Sequence, residues 1–318
     1  MPRKPYSPIP IQFRPYSFPS LFPVISFFGK NWNVTMKEPE FLHFHNCVEL
    51  GHCISGSGTI CFRDYQLSYS AGDYSVISPL EPHMSVCSDA PSQWEYIFFD
   101  PTILFGTSNE RITRLYQSYY LFEKPSRIIS RDGSSLFSML EQLFSMLEQL
   151  FPELQQKEIL YPNAMHSLLL MILIELNRLP SRAVNPVTDA AISPIRTALL
   201  HMYAHYMEPI TVTELAEKCC LSESHFRRVF KQMIGLSPQE YLQHYRIQHA
   251  CHRMLKYTEP LNQIASSVGF PSISSFNRQF TQYTGMSPSE WKKQFLSPPI
   301  SHNITSLEDE TSQHIFQY

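Results

Sequence analysis

The stretch SESHFRRVFKQMIGLSPQEY, Ser222–Tyr241, returns fifty residues later as SISSFNRQFTQYTGMSPSEW, Ser272–Trp291. Nine positions match in kind at that offset: Ser222 with Ser272, Phe226 with Phe276, Arg228 with Arg278, Phe230 with Phe280, Gly235 with Gly285, Ser237 with Ser287, Pro238 with Pro288, Glu240 with Glu290 and Tyr241 with Trp291. Each copy follows a short helix signal. In TVTELAEKC, Thr211–Cys219, Thr211 and Glu214 have capping-box spacing, and LNQIASSVG, Leu261–Gly269, precedes the second copy. Phe226, Val229, Phe230 and Met233 fall at i, i+3, i+4 and i+7, and Phe276, Gln279, Phe280 and Tyr283 hold the same places. Those faces turn inward. Left outward are Glu223, Ser224, His225, Arg227, Arg228 and Lys231 in the first copy, and Ile273, Ser274, Ser275, Asn277 and Arg278 in the second.

A helix, a tight turn and a second helix with a polar, basic outer face predict a helix-turn-helix unit, whose second helix enters a DNA major groove. The recognition helices are expected over 222–234 and 272–284. Arg pairs bidentately with guanine and Asn with adenine, each contact giving about 1–3 kcal/mol of discrimination. Arg227, Arg228, Asn277 and Arg278 are therefore the leading candidates for base contact, with Ser224, His225, Lys231, Ile273 and Ser274 completing the two faces. The repeat keeps the inward residues and varies the outward ones, as two units reading different base sequences require. Between them, Ser237-Pro238-Gln239-Glu240 starts a helix with Ser as N-cap, running to about Lys256. At about 1.5 Å per residue it spans roughly 30 Å, close to one DNA turn of about 34 Å. Ser287-Pro288-Ser289-Glu290 opens the equivalent final helix.

Charge follows the same division. The whole chain of 318 residues carries a net −3, but Asp189–Lys293 holds 11 Lys plus Arg against 8 Asp plus Glu, and the remainder 14 against 20. The positive share lies with the repeat, as a polyanionic partner requires. With 43% hydrophobic and 17% charged residues the chain has a globular composition, and its length suits two domains. Prolines at 5, 8, 10, 15, 19 and 23 interrupt any leader-like helix, and the apolar run that contains Leu168–Leu173 ends at Ile174, far short of the roughly 20 residues of a membrane span. No membrane contact is expected, and the location expected is cytoplasmic. Seven cysteines with no C-x-x-C predict reduced thiols rather than a disulfide framework.

The other half changes texture. Residues 1–20 form a proline-rich arm. Over 21–132, short runs such as FLHFH, TICFRDYQLSY and WEYIFF, punctuated by SGSG, SAGD and SPLEPH, predict an antiparallel barrel or sandwich. A helical region over 133–180 begins with FSMLEQL repeated unchanged at Phe137–Leu143 and Phe144–Leu150, either a packed helix or a self-associating seam. A second helix, Asn163–Arg178, is apolar nearly all round and is expected to be buried. A Pro- and Asn-containing linker at 181–192 leads to the repeat domain at 193–296 and a tail at 297–318. In HFHNCVELGHCISG, an extended strand would turn His43, His45, Cys47 and Glu49 to one face. Imidazoles and a carboxylate suit a first-row divalent ion. Trp94 and Tyr96, with Phe98 and Phe99, could wall a pocket for a sugar-like effector, or be core.

Residues from about Ile195 to Phe295 resemble the DNA-binding domain of the AraC/XylS family of bacterial transcription regulators. The resemblance is carried by Gly269-Phe270, Phe-x-Arg-x-Phe at 226–230 and 276–280, Gly-x-Ser-Pro at 235–238 and 285–288, and Arg246 with Ala250. It implies base-reading positions at Ser224, Arg227 and Arg228, and at Ile273, Ser274 and Arg278. Ile273 departs from a more usual polar residue and would suit a thymine methyl. His43, His45, Glu49 and His83 are similar to cupin motifs, whose barrels hold a metal, although Ser78 and Leu80 stand where Pro and Gly are usual. Regulators of this class often keep such a scaffold without a catalytic metal. Three readings stay open: a metal-free set facing an effector, which is favoured and needs no cofactor; a bound metal on His43, His45, Glu49 and His83; and purely structural histidines. The fold expected is a multidomain α+β chain, with a cupin-like β-barrel and following helices, then an all-α domain with two helix-turn-helix motifs. The function implied is a ligand-responsive regulator, not an enzyme, binding double-stranded DNA and a small-molecule effector, recruiting RNA polymerase and forming a homodimer. The alternative is a metal-dependent cupin enzyme with an appended DNA-binding module.

Overall fold

The computed structural model describes residues 11–14, 16, 18, 24–29, 31–63, 65–104, 126–131, 133–153, 161–179 and 195–296. The expected linker at 181–192 and tail at 297–318 lie outside the described residues, as does 105–125 of the expected barrel region.

Two β-sheets form the first part. The five-stranded sheet runs β1 (Ile11–Phe13), β4 (Leu42–Phe44), β9 (His83–Cys87), β6 (Ser57–Phe62), β7 (Gln66–Ser70) in spatial order. The six-stranded sheet runs β11 (Arg127–Ile129), β8 (Tyr74–Ile77), β5 (Val48–Ser55), β10 (Ser92–Phe99), β2 (Val24–Phe27), with β3 (Asn33–Val34) also paired to β10. Strand periodicity sorts the second sheet's side chains. Cys53, Ile77 and Trp94 point at Ile60, Phe62 and Tyr69 of the first sheet, while Val48, Leu50, Val76, Ile97 and Phe99 point away. Gly58 in β6 is forced by close approach, since a Cβ there would lie 2.0 Å from the Val86 carbonyl oxygen.

The outward face is covered by α2 (Ser135–Glu153) and α3 (Tyr161–Arg178). Phe137, Leu140, Leu143, Phe144 and Leu147 of the duplicated heptads are all buried, packed on that sheet and on α3. The stripe is thus satisfied inside the molecule. The expectation that the second helix is buried all round needs correction: Met165, Leu169, Ile172 and Leu173 are buried, but Met171 is 48% and Ile174 36% exposed. An isolated helix cannot reveal that only one of its apolar sides has a neighbour.

The arm at 1–20 is more than a leader to the barrel. Ile11–Phe13 adds a strand parallel to Leu42–Phe44, extended by the Arg14 amide donating to the Phe44 carbonyl at 2.9 Å.

After the short α1 (Pro101–Leu104), α2 and α3, the remaining elements are all helical: α4 (Arg196–His205), α5 (Val212–Lys218), α6 (Glu223–Ile234), α7 (Pro238–Lys256), α8 (Leu261–Ser267), α9 (Ile273–Thr284) and α10 (Pro288–Leu296). Phe226, Phe230, Phe276 and Phe280 are fully buried together with Leu215, Ala216, Ile264 and Ala265, as the helical spacing predicts. Phe44 and Leu80 of the β domain belong to this same core, and Phe13 packs against it. Leu80 holds a left-handed backbone, φ 61°, which explains why glycine would be the easier residue there. Its side chain is only 2% exposed, and that burial offsets the strain.

Candidate nucleic-acid interface and effector cavity

The two reading helices are started and stopped by the same devices. Ser222 and Ser272 are N-caps whose hydroxyls accept from the amides of His225 and Ser275, and Gly235 and Gly285 end the helices at φ 82° and 78°. α7 opens on a full capping box: the Ser237 hydroxyl accepts the Glu240 amide at 3.3 Å, and the Glu240 carboxylate accepts the Ser237 amide at 2.8 Å. Ser287 and Glu290 repeat it at 3.3 and 2.9 Å. At Thr211 only half the expected box forms. Its hydroxyl accepts the Glu214 amide, but the Glu214 carboxylate lies 2.8 Å from Nε2 of His201 on α4 instead.

Ser224, His225, Arg227, Arg228 and Lys231 on α6 are all exposed, and so are Ile273, Ser274, Asn277 and Arg278 on α9. Arg227 is braced by Glu223, which accepts from Nε at 2.9 Å and Nη2 at 2.8 Å. Arg228 and Arg278 make no such side-chain pair among the described residues.

The connector is more than a spacer. Arg246, 5% exposed in the middle of α7, donates from Nε to the Tyr206 carbonyl at 2.7 Å and from Nη2 to the Glu208 carbonyl at 2.8 Å. Burial pulls its pKa down to about 10. Against the same spot sits Gly269, φ 88°, where a Cβ would lie 2.6 Å from the Tyr206 carbonyl oxygen and 3.0 Å from Arg246 Cζ. The turn of the second unit is thereby seated on the end of α4 and on the connector. In the first unit Cys220 fills the corresponding turn at φ 54°. All seven cysteines are free thiols.

The histidine set does not lie on one continuous strand. The strand breaks after Phe44, and the chain crosses from the five-stranded sheet to the six-stranded one before Val48. His43 therefore comes from one sheet and Glu49 from the other, while His83 is the register partner of His43 across β4 and β9. One donor atom from each of His43, Glu49 and His83 lies within 4.8 Å of the other two. His45 is fully buried beside them, with Nδ1 2.9 Å from the Cys47 carbonyl oxygen and Nε2 3.0 Å from Glu49 Oε2. Burial, and then the neighbouring His83, hold His43 well below the usual histidine range; burial lowers His45 as well. Burial alone would raise Glu49, but the hydrogen bond from His45 and the neighbouring His83 ring pull it well below the ordinary carboxylate range. Imidazole nitrogens and a carboxylate oxygen brought within 4.8 Å are the donor types that a first-row divalent ion takes, so these residues fit the metal that cupin-like motifs imply.

His43, Glu49 and His83 line a cavity of about 470 Å³, together with Tyr96, Phe98, Phe27, Trp32, Phe41, Arg14 and Tyr16. Trp94 shares a strand face with Tyr96 but lies deeper. It is fully buried in the inter-sheet core against Tyr69, its Nε1 donating to Ser92 Oγ at 3.2 Å, and does not line the cavity. Sequence reasoning missed Arg14 and Tyr16, because a proline-rich arm carries no periodic signal. Tyr16 stacks on Phe98 at 4.4 Å, and its amide donates to Asn46 Oδ1 at 3.1 Å. Phe98, named with Tyr96 as a pocket wall from the sequence, does line the cavity.

Two capped reading helices on one connector, with exposed basic and amide side chains, define a helix-turn-helix DNA-binding domain. Residues 215–294 match the family described as a helix-turn-helix domain. The chain is similar to an AraC-like transcription regulator of Streptomyces antibioticus, 30% identical over 112 residues, covering 35% of this chain and 37% of that one. It is also 33% identical over 82 residues to the HTH-type transcriptional regulator AlkR of Acinetobacter baylyi, covering 26% of this chain but only 27% of AlkR. The Msm operon regulatory protein of Streptococcus mutans is 22% identical over 248 residues, covering 78% of this chain and 82% of that protein. Residues 215–294 are a helix-turn-helix domain, similar to that of AraC-like regulators. No helix among the described residues is long and apolar enough to cross a membrane.

Proposed function

We infer that the chain is a sequence-specific transcription regulator of the cytoplasm, binding double-stranded DNA through α6 and α9 in successive major grooves and responding to a small molecule held between its β-sheets. One observation carries this reading. Every predicted contact residue on α6 and α9 is exposed, while the helix faces that the repeat keeps are buried in one core. The 19-residue connector spans roughly 30 Å, so both helices suit one face of a single duplex. The whole-length likeness to an operon regulatory protein supports the regulatory role.

The cavity has the size of a small-molecule site, and its aromatic walls over a polar floor suit a sugar-like effector. The arm offers a route from cavity to DNA-binding domain. Tyr16 and Arg14 line the cavity, and Phe13 lies 6.1 Å from Tyr241 at the start of α7. An effector that shifts Tyr16 would bias the seating of α7, and with it operator affinity or RNA polymerase recruitment. The exposed Met171 and Ile174 on α3 are the candidate homodimer surface.

Selection of bound duplexes from random DNA tests the reading. Two preferred blocks about one helical turn apart are expected; recovery of no preferred sequence would overturn it.

A further inference from the structure

Helix α4 carries His201-Met202-Tyr203-Ala204-His205, two imidazoles about one turn apart. Residues at that spacing are neighbours on one helix face, and here the two rings lie with centroids 4.4 Å apart. Histidines at i and i+4 are a way for a helix to present two nitrogens to one metal ion. A third donor arrives from another helix. Glu214 on α5 sets Oε1 2.8 Å from Nε2 of His201, and so leaves unmade the backbone bond at Thr211 that its capping-box spacing predicts.

The second ring is braced from behind. Glu208, just past α4, sets Oε1 3.1 Å from Nδ1 of His205. A carboxylate on one ring nitrogen fixes the orientation of the imidazole and leaves Nε2 as the nitrogen that ligates, which is the usual support of a metal-bound histidine. Burial, and then Lys218 and His205, hold His201 below the usual histidine range, and a ring that resists protonation is open to a metal at neutral pH.

We propose that the chain binds one divalent first-row transition ion on His201, His205 and Glu214, with Glu208 as the positioning residue behind His205, so that the ion ties α4 to α5. The three donors are not all within 4.8 Å of one another, whereas donors bound at about 2.0–2.2 Å sit about 3.5 Å apart around a tetrahedral ion. His205 closes the set by turning about its side-chain bonds, since its side chain is 42% exposed. The Lys218 ammonium opposes a cation here, but Glu208 and Glu214 set two carboxylates against it. Two imidazoles and a carboxylate favour zinc, cobalt, nickel or copper over calcium. The site is separate from the cavity, none of whose walls it shares. Because Thr213 of α5 donates to Glu223 of α6 at 2.7 Å, an ion between α4 and α5 stiffens the support of the first reading helix. This inference is independent of the regulatory reading, since it is tested without DNA.

The experiment strips the full chain with a chelator and titrates it with Zn²⁺. Bound metal is counted by elemental analysis, and the reactivity of each histidine toward diethyl pyrocarbonate is mapped by mass spectrometry, which separates this pair from the histidines of the cavity. Zinc should protect His205. His205→Ala and Glu214→Gln should each bind one ion fewer than the parent at the same free zinc, and Glu208→Gln should keep the ion with about 10–100-fold weaker affinity. The Tm of each stripped variant separates lost ligation from lost folding, and alanine at the half-exposed His205 position leaves the His201–Glu214 contact in place. If that contact only ties two helices together, His205→Ala changes nothing in zinc binding. A zinc count in His205→Ala equal to the parent's, or His205 equally reactive with and without zinc, would overturn the proposal.

Discussion

Glu223 Oε1 accepts both Nε and Nη2 of Arg227, at 2.9 and 2.8 Å, while Glu223 Oε2 accepts the Thr213 hydroxyl at 2.7 Å. The carboxylate thus ties the reading helix to the supporting helix and occupies the guanidinium fork. Arg228, one residue on, has no such partner among the described residues. Under the proposed function, base reading in the first unit is expected of Arg228 and phosphate contact of Arg227. Arg228→Ala should lose about 1–3 kcal/mol of discrimination at one or two bases of one half-site, and Arg278→Ala the same in the other half. Arg227→Ala should weaken all sites alike and lower the salt slope by about 1. Fluorescence anisotropy against single-base-substituted duplexes separates the patterns; equal base specificity losses in Arg227→Ala and Arg228→Ala would refute the division of labour.

The junction around Arg246 should be among the costliest places to alter in the DNA-binding domain. Gly269→Ala introduces a Cβ 2.6 Å from a carbonyl oxygen at φ 88°, which should cost about 1–3 kcal/mol. Arg246→Ala strands the buried Tyr206 carbonyl, at about 1–3 kcal/mol, and also removes the bond to the Glu208 carbonyl. Denaturant titration monitored by circular dichroism checks both, and a Gly269→Ala chain as stable as the parent would contradict the packing argument.

Acid should weaken the same domain through His249. It is buried, stacked on Tyr206 at 4.2 Å, and burial and then the nearby His252 hold it down to about 3. Its folded pKa lies below the unfolded value near 6.5, so the unfolded chain takes up the proton first as pH falls. Stability is therefore complete above about pH 6.5 and is lost toward pH 3, at no more than roughly 1.4 kcal/mol per pH unit. A Tm series from pH 7.5 to 4.5 should show a shallower fall in His249→Phe. The fall should not vanish, because His43 and His45 are also held low.

Phe13 sits between Phe44, 5.0 Å away, and Tyr241, 6.1 Å away. If the arm transmits cavity occupancy, Phe13→Ala should leave operator affinity without effector nearly unchanged, and should flatten the affinity change that an effector found by thermal-shift screening produces in the parent. Retention of the full change in Phe13→Ala would exclude this route.

The repeat made the DNA-binding half legible because its signals are local. A helix face is read from i, i+3, i+4 spacing, and a helix start from Ser237 and Ser287. None of these depends on what lies elsewhere in the chain. Thr211 shows the limit: its spacing to Glu214 is right, but His201, ten residues upstream, takes the carboxylate.

By itself, then, the order of residues determined two duplicated helical units, their buried and exposed sides, and a strand-rich half carrying clustered histidines. Only the tertiary structure decided that Tyr16, Glu49, His83 and Tyr96 meet at one cavity while Trp94 stays in the core, that His45 is engaged where His43 is not, and that the arm bridges both domains. The physical reason is range. Capping and helix periodicity act within a few residues, whereas a cavity is whatever space remains after two sheets from distant parts of the chain have packed, and no periodicity encodes it.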